Sequence, residues 1–374
     1  MRKQFDRRAF LGAAAALTCT ALNRDASGAM IPRIQAPIVD KLVVQVVVDG
    51  AHDVFISGAE PPGIKVTQSR LESGPRARRT LQTEWGLSLH LTSTKGSETK
   101  RYLLDYAYTS DVLNNNLDLL GIDVSALDAL ILSHGHLDHW GGLPGFLEQH
   151  GKSLRGNMRL FLGGEDAFCA RTTRLPNGSF ADFGALDRRE LAAAGLRPIL
   201  SEDPLIIDGH AFTTGIVPRT SIERVLPNTF VSFGETGGSG CNVAKYAEHH
   251  FTEAELSGGP QPDQHLHEHG TCFHVRDRGL VVITSCGHGG IINTVNRAKQ
   301  VTGIDKVYAL VGGFHLGPAP IDYLTQIMGE LKKLDIEHIF PMHCTGQNFI
   351  DIAKREIPQS LVLCTTGTQF TFAA

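Results

Sequence analysis

Residues Ser133-His134-Gly135-His136-Leu137-Asp138-His139 put three imidazoles and one carboxylate into a single short segment. The run before it, Asp128 to Ser133, is nearly all apolar and reads as a buried strand. In an extended segment residues i and i+2 point the same way, so His134 and His136 can reach one metal ion. Asp138 and His139, beyond the turn, can address a second ion beside it. Imidazole and carboxylate suit zinc or iron, and paired sites hold their ions about 3.5–4 Å apart. The bland alternative is a solvated turn, but burying four such groups without partners would cost several kcal/mol.

The chain holds 17 histidines against 6 tyrosines and 2 tryptophans, and more of them stand at the ends of apolar runs. His288 follows a strand-like run from Leu280 to Thr284, in a glycine-rich turn. His315 follows Lys306 to Val311 behind two glycines that permit close backbone approach; it reads as a substrate or proton-transfer group. His343 follows Glu337 to Phe340. His265, His267 and His269 alternate, and period-two spacing would put them on one strand face. That face is either a solvated edge or the source of one ligand, first of all His267. Asp105 ends the run Arg101 to Asp105 and either orients a ligand or caps a turn. Arg219, behind Pro218, either binds a substrate anion bidentately or pairs with Glu223. Cys286 and Cys344 adjoin proposed ligands and are either soft ligands or small packing residues.

The elements that must position these groups are legible as alternating runs. Lys41 to Val48, Gly86 to Leu91, Arg101 to Asp105 and Asp128 to Ser133 read as strands in the first half, with a helix at Ser110 to Leu120. Thr271 to Val275, Leu280 to Thr284, Lys306 to Val311 and Glu337 to Phe340 read as strands in the second, with helices near 290–302, 320–334 and 346–356. Residues 58–80 and 234–262, rich in Gly, Pro and polar residues, read as long loops, which are usually functional when ordered.

The composition, 42% hydrophobic and 20% charged over 374 residues, is that of an ordinary globular protein. A net charge of −4 excludes nucleic-acid binding by bulk electrostatics. Asp6-Arg7-Arg8-Ala9-Phe10-Leu11, the small apolar run Ala9 to Leu22 and the cleavage-like Ser27-Gly28-Ala29 resemble a twin-arginine export signal over residues 1–29. The run is short of the roughly 20 residues that span a bilayer, so stable membrane insertion is not expected. Removing it leaves 30 basic against 37 acidic residues. The mature chain is then expected to be periplasmic, with export machinery as its partner through the signal. Six cysteines remain and none forms a C-x-x-C pair, so zinc-ribbon and thioredoxin readings fail. Their pairing cannot be deduced.

The H-x-H-x-D-H run resembles the signature of the metallo-β-lactamase-fold metallohydrolases. Within them the chain looks like the 7,8-dihydropterin-6-methyl-4-(β-D-ribofuranosyl)-aminobenzene-5′-phosphate synthase-like branch. The matching segments are Trp85-Gly86-Leu87-Ser88-Leu89, Leu103-Leu104-Asp105, Gly215-Ile216-Val217-Pro218-Arg219, Thr284-Ser285-Cys286-Gly287-His288-Gly289-Gly290, Gly312-Gly313-Phe314-His315-Leu316 and Pro341-Met342-His343-Cys344-Thr345-Gly346. The resemblance implies one domain over 40–374, an α/β (αββα) sandwich of two packed mixed sheets with outer helices. It also implies two divalent metal ions, zinc first, with iron or manganese as alternatives. His134, His136, Asp138, His139, His288 and His343 are the expected ligands, His343 in the place of the family's last histidine. The family usually has a bridging aspartate where Cys286-Gly287-His288 stands here.

The expected function is metal-dependent hydrolysis of a small-molecule ester, phosphoester, lactone or related substrate by metal-bound hydroxide. Asp138 would orient the nucleophile and take up its proton, His315 would serve the leaving group, and Arg219 and His315 would contact substrate. Two alternatives stand beside it. One is a transferase-like condensation on a phosphoribosyl or pterin-type substrate, as the branch name implies; export argues against it, because such substrates are cytosolic. The other is a metal-binding protein without turnover, or a redox iron protein.

Overall fold

The computed structural model describes residues 33–56, 61–69, 79–226, 229–242 and 259–374. The expected signal, 1–29, lies outside the described residues, as do parts of both expected loops.

Two sheets carry the architecture. The first has eight strands, in the spatial order Arg197–Leu200, Arg159–Leu162, Ala129–Ile131, Glu98–Leu104, Ser88–Lys95, Lys41–Val48, Thr368–Ala373 and Ile64–Gln68. The second runs Ile206–Ile207, Ala211–Thr213, Thr271–Val275, Gly279–Thr284, Val307–Gly313 and His338–Met342, with Ile38–Val39 added in parallel to Thr271–Val275. Both are mixed. Glu98–Leu104, Ala129–Ile131 and Arg159–Leu162 run parallel, as do the last three strands of the second sheet.

Burial explains the sequence of these strands. Lys41–Val48 is rich in valine because both of its faces are covered, and β-branched side chains fit a packed pleated surface. Val44, Leu89, Leu91, Ile131, Phe273, Val281, Ile283, Val311, Phe340 and Phe370 form the core between the sheets. On the other face of the first sheet Val47, Leu103, Leu130 and Leu160 pack with Leu113 and Leu117 of the helix Ser110–Leu119 and Phe146 of the helix Leu143–His150. Helices Ile291–Thr302, Ile321–Lys333 and Gln347–Glu356 follow the strands of the second sheet. Thr109 caps the helix Ser110–Leu119 through its hydroxyl, and Gly303, at φ 72°, closes Ile291–Thr302 in the left-handed conformation. This is the αββα sandwich expected.

Two expectations need correction. Residues 58–80 are not only loop: Ile64–Gln68 is an edge strand paired with Thr368–Ala373. Within 234–262, Gly234–Thr236 and Ser239–Cys241 form a hairpin, and Gln261–Pro262 pairs with Thr229–Ser232. These strands are short and partly polar, so periodicity does not reveal them. Thr229–Ser232 in turn joins Ala170–Arg174 and Phe180–Gly184 in a small sheet beside the main sandwich. Cys169 and Cys241 form a disulfide. No helix of the described residues is long and apolar enough to cross a membrane.

Candidate metal centre

All six expected metal ligands, and His315, stand just past the C-terminal end of a strand. Asp49 follows Lys41–Val48, Asp105 follows Glu98–Leu104, and 134–139 follows Ala129–Ile131. Cys286 and His288 follow Gly279–Thr284, His315 follows Val307–Gly313, and His343 follows His338–Met342. The sandwich thus delivers groups far apart in sequence to one edge. The turns there are tight. Asp105, His265, His315 and His343 all have positive φ, between 45° and 61°, where side chains other than glycine are uncommon. Such strain persists where surrounding structure holds it, and it clusters at functional sites. Gly135 must lack a side chain, because a Cβ there would lie 2.3 Å from Ala167 O.

Two groups of donors meet at this edge. Ligand-capable atoms of His134, His136 and His288 all lie within 4.8 Å of one another. Beside them His139 Nε2 is 3.2 Å from His343 Nε2, and Asp138 Oδ2 is 3.4 Å from His343 Nε2 and 3.7 Å from His139 Nε2. All six expected ligands are therefore brought together, in two adjoining sets of three. They are buried, the side chains of His139 and His343 completely. Burial first, and the neighbouring imidazoles next, hold His134, His136 and His288 well below the usual histidine range. They are thus neutral, the form that binds metal. Burial works against ionised Asp138, but His139 and His343 outweigh it and keep its carboxyl below the usual range.

The groups that surround the donors fix their orientation. Asp105 Oδ2 accepts from His139 Nδ1 at 2.7 Å, and the same carboxylate receives Ser133 N and Ser133 Oγ at 2.8 Å each. Ser133 Oγ in turn lies 2.9 Å from His134 Nδ1. His136 Nε2 lies 2.8 Å from Thr229 Oγ1. Asp49 Oδ1 receives His343 N at 2.7 Å and so fixes the last histidine's turn. Glu268 receives Gly287 N at 2.7 Å and Gly289 N at 2.9 Å, which fixes the turn that carries His288. Asp49, Glu268 and Thr229 were missed in the sequence. Only proximity across the fold reveals them, although Glu268 stands within the conspicuous His-Leu-His-Glu-His run.

That run is not a strand. Leu266 and His267 form a turn, so period-two spacing does not apply and the three histidines go separate ways. His267 is not placed as a ligand: its Nε2 accepts from Gly135 N at 2.8 Å and its Nδ1 lies 2.9 Å from Asp166 Oδ2. It braces the His134-Gly135-His136 turn. His269 Nε2 donates to Leu132 O at 3.1 Å. His265 is the one that turns inward, stacked on His288 at 3.9 Å between ring centroids and grouped with His136 and Asp263. Beneath them the fully buried Arg171 pairs with Asp263 at 2.6 Å.

His315 reaches the site, its ring 4.2 Å from His288, in a group with Cys286 and His288. Arg219 does not pair with Glu223; its guanidinium bonds Gln264 through both terminal nitrogens. Glu223 instead receives Ile292 N and Asn293 N at the start of the helix Ile291–Thr302. Cys286 Sγ lies 3.5 Å from His139 Nε2. Trp85, 62% exposed, stands 5.3 Å from the His343 ring, and Phe183 packs edge-on against His136.

The donors fit a bound transition metal. Among the described residues, His134 Nε2, Asp138 Oδ1, His343 Nδ1 and both ring nitrogens of His265, His288 and His315 are buried without a hydrogen-bond partner. Orphaned polar atoms at this density are costly unless something ligates them. Imidazole, carboxylate and thiol together are the donor chemistry of zinc and iron rather than of magnesium or calcium.

Residues 94–166, which contain the histidine-rich segment, match the family described as the metallo-beta-lactamase superfamily. The chain is 27% identical over 267 residues to the 7,8-dihydropterin-6-methyl-4-(beta-D-ribofuranosyl)-aminobenzene-5'-phosphate synthase of Methanocaldococcus jannaschii, covering 71% of this chain and 82% of that protein. It is 28% identical over 247 residues to an uncharacterised protein of the same organism, covering 66% and 80%. Among solved structures it is similar to Tm1679, named as a metal-dependent hydrolase of the beta-lactamase superfamily. The TM-score is 0.61 at 21% identity, with 88% of this chain and 98% of that one covered.

Proposed function

Since residues 94–166 match the metallo-beta-lactamase superfamily and the chain has that fold, we propose that it is a two-metal hydrolase of that superfamily acting on a small ester, phosphoester, lactone or related substrate. The observation that carries this reading is the pair of adjoining donor sets, His134/His136/His288 and Asp138/His139/His343, in which His134 Nε2, both ring nitrogens of His288 and His343 Nδ1 are buried with no hydrogen-bond partner among the described residues. Lewis acidity is what divalent metals supply when bound there: they polarise a carbonyl or phosphoryl oxygen and make water acidic enough to react near neutral pH. The protein's own groups do the rest. Asp138 Oδ1, free of partners, is the carboxylate oxygen available to orient a nucleophile and accept its proton. His315, with both ring nitrogens free, serves the leaving group. Trp85 and Phe183 offer apolar walls to either side, which exclude water from one face of a bound substrate. Arg219 lends itself less to anion recognition than its sequence position implies, because its terminal nitrogens are engaged by Gln264.

A second reading, a synthase-type condensation on a phosphoribosyl substrate, has its support in the similarity to the archaeal synthase over 71% of the chain. Against it stands the glycine turn at the start of the helix Ile291–Thr302. A helix N-terminus is a natural phosphate seat, but here Glu268 and Glu223 already occupy its backbone N–H groups. Export, which we also propose, takes the protein away from cytosolic phosphoribosyl donors. The Cys169–Cys241 disulfide supports it, since such bridges persist in oxidising compartments.

Elemental analysis of the purified protein, followed by phosphoester, lactone, β-lactam and thioester substrates with and without chelator, tests the proposal. Close to two transition-metal ions and a chelator-sensitive hydrolysis are expected. Absence of metal, or condensation activity without any hydrolysis, would overturn it. His134→Ala should lower metal content outright; unchanged content would remove the basis of the reading.

A further inference from the structure

Cys286 stands where the two donor sets meet. Its Sγ lies within 4.8 Å of ligand-capable atoms of both His134 and His139, which belong to different sets. The same sulfur forms such a group with His288 and His315, and another with His343 and Cys344. A donor within reach of both sets is what a bridge between two ions requires. The neighbouring sulfur is committed elsewhere: Cys344 Sγ accepts from His315 N at 3.2 Å and lies 3.6 Å from Cys286 O. It stands 3.1 Å from Cys286 Sγ and braces it. The backbone makes room for this, since a Cβ on Gly313 would come 2.9 Å from Cys344 Sγ and 2.2 Å from Ser285 O.

We propose that Cys286 Sγ is a metal ligand shared between the two positions, so that the centre contains a bridging thiolate. The proposal rests on the two-metal reading above. Metal binding displaces the thiol proton to solvent, and no oxidation or reduction is involved. A thiolate at the junction makes the site select zinc or iron over hard, oxygen-preferring cations, whatever the substrate.

X-ray absorption at the zinc edge of the zinc-loaded full chain, with elemental analysis of the same samples, tests this without reference to activity. The wild type should show a zinc–sulfur shell at about 2.3 Å beside the nitrogen and oxygen shell. Cys286→Asp, which puts a carboxylate at this position, should lose the sulfur shell and keep most of its zinc. Cys344→Ala should keep both. Zinc bound in the wild type without sulfur would overturn the proposal and leave the two-metal reading standing. A sulfur shell that survives Cys286→Asp, or disappears in Cys344→Ala, would likewise overturn it, and the second result does not depend on the aspartate variant folding. A wild-type chain that takes up no zinc at all would overturn the two-metal reading and this proposal with it.

Discussion

At the scale of single residues, the site is a set of donors whose bare nitrogens are held in place by carboxylates that do not themselves face the cluster. Asp105 is the clearest case, since it binds His139 Nδ1 and both polar groups of Ser133. Asp105→Asn should keep the fold but turn or loosen the imidazole, and partners of this kind are worth about 10–100-fold in metal affinity. Competition with a chelator of known affinity measures it; unchanged affinity would show that His139 is held by packing alone. His315 poses a different question, because its ring is close enough to His288 to ligate and free enough to transfer a proton. His315→Ala should retain both metals and lower turnover by roughly 10²–10⁴, the range for a lost acid–base group. Metal content and turnover must be taken on one preparation, since a parallel fall in both would make His315 a ligand instead.

At the scale of elements, the strands do two jobs: they close the core and they end where chemistry is needed. Gly312 shows how tightly these ends are set, as a Cβ there would lie 1.6 Å from Thr284 O on the neighbouring parallel strand. Ser88–Lys95 carries a pH-sensitive group of its own. His90 is held at about 4 by burial and then by the charge of Arg101, below the ordinary 6.5. Above about pH 6.5 it is neutral whether the chain is folded or not and contributes nothing to the pH dependence. Between about 6.5 and 4 the unfolded chain takes up a proton that the folded one refuses, so stability falls as pH falls and levels off below. His90→Gln should remove on the order of 2 kcal/mol of that loss. Denaturant unfolding of wild type and variant without metal, at several pH values in this window, reads the difference directly; parallel curves would mean that His90 titrates normally. The strands that carry this chemistry were readable because their buried faces demand continuous apolar runs, as at Lys41–Val48 and Gly279–Thr284. Ala170–Arg174, Phe180–Gly184 and Arg197–Leu200 were not, because short, partly exposed strands have no periodicity long enough to distinguish them from loops, and the largely buried Arg159–Leu162 offers only three apolar residues in a row.

At the scale of the whole molecule, the ligand motif was legible because H-x-H-x-D-H concentrates its chemistry in one segment, whereas its supports are scattered. Asp49 lies 294 positions from the His343 backbone it holds, and Asp166 lies 101 from His267, distances at which no local pattern operates. The His265 to His269 alternation misled for the same reason: a two-residue period is evidence of a strand only where the backbone is extended, and a turn at Leu266 and His267 breaks it. The remaining question is where the folded protein resides. Arg7-Arg8 ahead of a weakly apolar segment is the pattern of a signal read by machinery that moves folded proteins, which suits a chain whose metal is loaded before translocation. The Cys169–Cys241 bridge joins residues 72 positions apart and is suited to an oxidising compartment. Replacing both arginines, Arg7→Lys with Arg8→Lys, conserves charge while removing the planar guanidinium groups, so a purely electrostatic role for the N-terminus would survive the change and a specific recognition would not. The double variant should therefore accumulate uncleaved in the cytoplasm with its thiols reduced, while the wild type appears outside it, shortened near Ala29 and with one disulfide. Fractionation with mass spectrometry distinguishes the two, and unchanged export of the double variant would remove the twin-arginine route from the account.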